Sequence, residues 1–129
     1  MKRLAMAAML AALVSVPALA DPLEGNWLTA PDDNGNSGMI EVTPCGGGLC
    51  GTLTRAFDPA GKEVQSPQVG RRIIWDTVPK GGGEYRGKVY APDRDKTYNS
   101  KLILSGDNLS VSGCVLGICR EGGVWRRQQ

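Results

Sequence analysis

The 129-residue chain contains no histidine at all. Without imidazole, every Ser-His or Cys-His catalytic scheme and every His-ligated metal is excluded. Past the N-terminus there is also no apolar run approaching the roughly 20 residues that span a bilayer. No stretch repeats at 3.6 residues for long enough to predict a helix. Nor does charge of one sign dominate. The formal net charge is +2, and Lys2 and Arg3 both lie in a segment expected to be removed. A neutral mature chain has no electrostatic footprint for nucleic acid or an anionic lipid surface. The local cluster of Arg126, Arg127 and Arg120 reads as a solvated strand end rather than a binding patch.

What is present begins with MKRLAMAAMLAALVSVPALA. Two basic residues, an apolar run, Pro17 and a small-x-small Ala18-Leu19-Ala20 site make residues 1–20 a secretory signal peptide. Residues 21–129 are then a single domain, periplasmic or secreted. The first cysteine, Cys45, is far from the cleavage site, so no thiol is offered for a lipid anchor and no membrane anchor is expected. In that compartment an even count of four cysteines predicts disulfides. A four-cysteine zinc site fits the spacing but not the export, and a redox couple usually has two intervening residues rather than four. No metal and no cofactor are called for.

From Leu23 onward, short alternating or β-branched runs are broken by turn residues, which predicts an all-β chain. The expected strands are 24–30, 38–43, 49–57, 73–78, 84–90, 98–104, 109–115 and 122–127. Most connectors are short enough to join only antiparallel neighbours, so the strands form a meander. About eight strands is the number that closes a small barrel, and closure removes both exposed edges. Alternation points Tyr98, Ser100, Leu102 and Leu104 inward, with Ile40, Val42, Leu109, Val111, Gly113 and Val115. The one long connection, 58–72, is expected to make a flap or a short helical turn over one end.

Each cysteine pair then closes a four-residue hairpin loop. Three connectivities are open, and strand adjacency favours Cys45 with Cys50 and Cys114 with Cys119. The glycines of PCGGGLC supply turn geometry, since no strand-to-helix context follows that would make them a phosphate loop.

GNWL, PCGGGLCG, Arg71-Arg72 followed by IIW, GKVYAPDRDKTYNSKLIL and SVSGCVLGICR ending in VWRRQQ together resemble the bacterial family known as domain of unknown function 2147, over essentially the whole mature chain. The resemblance implies an exported protein with a lipocalin-like up-and-down β-barrel, and no activity. Gly25-Asn26-Trp27 is also similar to the G-x-W signature of lipocalins, in which an arginine of the last strand packs across the tryptophan. That similarity implies barrel closure by Trp27 with Arg126, or with its neighbour Arg127.

The function expected from this architecture is a non-enzymatic module that binds a small apolar or amphipathic ligand, with Trp75, Tyr90 and Tyr98 as candidate contacts. An envelope interaction or structural module, contacting a protein partner through 58–72, is the alternative. An enzyme would rest on Asp93, Asp95, Lys96 and Tyr98 in APDRDKTY, a run that a polar hairpin already explains.

Overall fold

The computed structural model describes residues 20–129, so the expected leader lies outside the described residues except for Ala20. Nine strands follow one another: β1 (Gly25–Leu28), β2 (Ser37–Cys45), β3 (Gly48–Phe57), β4 (Glu63–Val64), β5 (Arg72–Gly81), β6 (Glu84–Ala91), β7 (Lys96–Ser105), β8 (Asn108–Val115) and β9 (Ile118–Gln128). Eight of them form the predicted barrel. Each pairs antiparallel with the next around the ring, and β1 pairs with both β2 and β9 to close it. β4 stands apart, paired only to the end of β3.

The hairpins are tighter than the cysteine spacing suggests. Cys45 lies across from Gly48, and Val115 lies across from Ile118, so both connections are two-residue turns. Gly46 takes a φ of 62°, the positive value that such hairpin turns require and that glycine adopts without steric cost. Gly48 answers a different need: a Cβ there would meet the Thr77 carbonyl oxygen at 2.8 Å, because β5 crosses close above it. The cysteines pair locally, with Cys45 and Cys50 at an S–S distance of 2.14 Å and Cys114 and Cys119 at 2.03 Å. Cys114 and Cys119 are directly opposed. Cys45 and Cys50 are offset, since Cys50 faces Thr43.

Alternation places the core as expected. Ile40, Val42, Leu102, Leu109 and Val111 are buried, together with Trp27 and Ile74. Val115 departs from the expectation: it shares the inward face of β8, yet it is 56% exposed because the β8–β9 hairpin runs on beyond the rim of the barrel. The long 58–72 connection contains no helical turn; β4 and a turn between Ser66 and Val69 fold it back onto β3.

One end of the barrel is sealed. Trp27 is fully buried, and its indole N–H donates to the Leu23 carbonyl at 2.9 Å. The arginine that covers it is Arg127, not Arg126. Arg127 lies opposite Trp27 in the β1–β9 register, and its guanidinium sits 4.4 Å from the ring centroid. It also donates to the backbone carbonyls of Glu24 and Pro22 and pairs with Asp107. Arg126, one residue away on the opposite face of β9, is exposed. Arg127 is thus no solvated strand end. Beside it, the buried Tyr85 hydroxyl donates to Asp21 Oδ1 at 2.6 Å, tying β6 to the chain just before β1.

Two outcomes follow from this end. Arg127→Ala is expected to lower the unfolding free energy by about 2–4 kcal/mol, through the lost cation–π contact and the orphaned carbonyls. Arg126→Ala should stay within about 0.5 kcal/mol; denaturant unfolding of the two variants separates them. Burial, reinforced by the Asp21 carboxylate, pushes the Tyr85 phenol well above its ordinary value. A raised folded-state value means that the contribution of Tyr85 to stability is fully present below about pH 10, the unfolded value, and is lost as pH rises through the folded one. Thermal melts across alkaline pH should show this decline, and Tyr85→Phe should flatten it.

Candidate functional site

The chain directions put the β1–β2, β3–β5, β6–β7 and β8–β9 connections together at the end opposite the Trp27 seal. There the barrel opens into a cavity of about 480 Å³, within the range that holds a small organic ligand. Its walls are aliphatic, with Ile40, Leu53, Ile73, Val89 and Val111, and Trp125 also faces it. These residues arise from strand alternation, helped by a bulge: β5 shifts register against β3, so that both Ile73 and Ile74 are buried.

Two connections roof the mouth. In the first, Asp32 organises the β1–β2 loop by accepting from the amides of Asn34 at 2.9 Å and Asn36 at 3.0 Å, the local use expected of an Asp in PDDNGN. In the second, residues from Val64 to Gln68 lie across the opening. The amide of Gly70 then donates to the Leu53 carbonyl at 2.7 Å, which returns the flap to the wall. The mouth is therefore polar and uncharged over most of its lining, above an apolar interior.

Of the three aromatic residues expected to meet a ligand, only Tyr90 lines this cavity. It follows Val89, so simple alternation would turn it outward. Instead it is buried beneath the Arg71 guanidinium, 3.8 Å from its ring centroid, and its hydroxyl donates to Asp95 Oδ1 at 2.6 Å. That hydrogen bond, with burial adding to it, raises the Tyr90 phenol above its ordinary value. Trp75 and Tyr98 are half-buried and pack against the core without reaching the cavity. The Tyr98 ring lies over Gly113, where a Cβ would meet it at 3.2 Å. The residue that sequence reasoning missed is Trp125. Its signal was available, because Gly123, Trp125 and Arg127 alternate on one face of β9.

The side chains of the APDRDKTY run diverge. Asp95 is held by the Tyr90 hydroxyl at a φ of 49°. Lys96 points to solvent, and Asp93 stands at the rim of the cavity. Among the described residues no group of three or more His, Cys, Asp or Glu side chains is placed to hold a metal ion.

A family described as "Uncharacterized protein conserved in bacteria (DUF2147)" matches residues 25–127, and the chain belongs to that family. A protein from the human pathogen Helicobacter pylori, described as belonging to the lipocalin family, has a similar solved structure. The TM-score is 0.66 at 17% sequence identity, over 85% of this chain and 85% of that one. That likeness is one of fold. No curated protein matches the chain.

Tyr90→Phe is expected to release the 92–95 loop while leaving the barrel intact. Amide exchange should quicken from Asp93 to Lys96, with the global Tm unchanged within about 2 °C.

Proposed function

We propose that this member of the uncharacterised bacterial family works outside the cytoplasm as a non-enzymatic module that holds a small apolar or amphipathic ligand in its barrel. The observation that carries the reading is the cavity: about 480 Å³ of space, walled by aliphatic side chains and Trp125 and rimmed mostly by neutral polar groups, with Asp32 and Asp93 among them. A lipocalin-like fold does not by itself imply a ligand, because small barrels can be filled by their own side chains. Here the seal occupies one end only. An apolar tail would be buried along Ile40, Leu53, Val89 and Val111, and a polar head would meet the amides and hydroxyls of the rim.

Two disulfides support the compartment, and among the described residues no helix is long and apolar enough to cross a membrane. The expected cleavage after Ala20 also suits the fold. The Asp21 N–H donates to Glu24 Oε2 at 2.7 Å, so the α-ammonium created by cleavage would form beside a carboxylate already in place. A periplasmic or secreted mature chain starting at Asp21 is the form we expect to act.

The test uses N-phenyl-1-naphthylamine, a neutral apolar fluorophore, titrated into the mature protein. Binding at micromolar concentration with quenching of Trp125 is expected, on the order of −8 kcal/mol. Val111→Trp, which fills the cavity from its wall, should weaken binding by at least about tenfold. No binding by the wild type, or binding indifferent to Val111→Trp, would refute the reading.

A further inference from the structure

At the open end, the β8–β9 hairpin exposes an apolar tip. Leu116 is 98% exposed, Ile118 67% and Val115 56%. Val115 and Ile118 are directly opposed, so they share one face of the hairpin, and alternation makes it the same face that carries Val111 into the cavity. The apolar lining of the barrel thus continues past its rim, where it stays exposed. Leu116 also holds a φ of 53°, at a turn position where glycine or asparagine is favoured and a γ-branched apolar residue is conformationally costly. A leucine that is both fully exposed and backbone-strained has no stabilising role within the fold.

We propose that this tip is a lipid-surface contact, which sets the mouth of the cavity against a bilayer. The charges around it favour that occupant. Arg120, next to Cys119, and Lys96, at the same end, are exposed, and neither takes part in an ion pair among the described residues. Two acidic side chains at this end are paired with cations, Asp33 with Arg94 and Glu63 with Arg55, while Asp95 and Glu121 keep their charge and bond to the Tyr90 and Ser110 hydroxyls. Two free cations beside an aliphatic tip match phosphate headgroups above acyl chains. The mature chain is neutral overall, so insertion of the tip supplies the affinity and the cations add a local preference. A protein partner fits less well, since a two-residue turn is convex and far smaller than the roughly 800 Å² per side of a standard interface. Docking at the tip is independent of what the cavity holds; only its use in collecting an amphiphile rests on the ligand reading above.

The experiment is flotation of the mature protein with vesicles of mixed phosphatidylcholine and phosphatidylglycerol. The wild type is expected to float with them. Leu116→Asn should reduce the bound fraction about tenfold while its Tm holds or rises, because asparagine tolerates the positive φ. Arg120→Gln should reduce it about threefold. No flotation of the wild type, or equal flotation of Leu116→Asn, overturns the proposal, as does a Leu116-dependent protein complex without lipid binding. The naphthylamine titration repeated on Leu116→Asn keeps the two readings apart. An unchanged titration with lost flotation locates the defect at the tip, and intact flotation of a protein that binds no probe removes the ligand reading alone.

Discussion

The Arg127 guanidinium lying over Trp27 ties the last strand of the barrel to the first. β1 is only four residues long, and it meets β9 over three residue pairs, too few for ladder hydrogen bonds alone to hold a closure. Were β1 to detach, β2 and β9 would become open edges and the buried face of each would meet water. The stacked pair prevents this from the side-chain level. The same arginine takes the carbonyls of Pro22 and Glu24, so the segment that leads into β1 is fixed by the residue that covers its tryptophan. Closure, the N-terminal segment and the plug are one structural event.

Sealing one end determines what the other can be. Trp27, Leu23, Leu102 and Leu109 are fully buried and fill the sealed half. Further up, Ile40, Leu53, Ile73, Val89, Val111 and Trp125 wall the cavity, and no second tryptophan–arginine plug is formed among the described residues. The loops above the space are braced by their own hydrogen bonds, as at Asp32 and Asp58, and lie over it as a roof. Order in the loops and space beneath them have a common origin: the polar turn residues bond to their own backbone and so contribute nothing to the interior.

The parts legible in the sequence were those governed by period and punctuation. Alternation gave the eight barrel strands and the inward set around Ile40, Leu102 and Val111, and the turn residues gave the meander. The parts it hid depend on register, which one residue can invert. Arg126 and Arg127 are chemically identical and adjacent, and only the pairing of β1 with β9 decides between them. Tyr90 reads as outward until Arg71, from a loop 19 positions earlier, is seen to cover it. Trp125 was overlooked because a tryptophan near basic residues at a chain end suggests a strand end, although it shares a face with Arg127. In the 58–72 connection, the two-residue β4 is too short for any periodic signal to show.

The two disulfides repeat one spacing but meet different physical needs. At the sealed end, Cys45–Cys50 sits on a hairpin already packed beneath β5, with Cys50 buried, so the bond reinforces a register that the core also specifies. At the open end Cys114 is buried too, but Val115, Leu116 and Ile118 beyond it are exposed, and the tip gains almost nothing from the core. Two strands that project beyond a barrel with no packing partner would fray. A bond closing so small a loop, contributing about 2 kcal/mol by restricting the unfolded chain, is what remains to hold them in pairs. Placed between directly opposed residues on the face away from Val115 and Ile118, it orders the tip and leaves that apolar face uncovered.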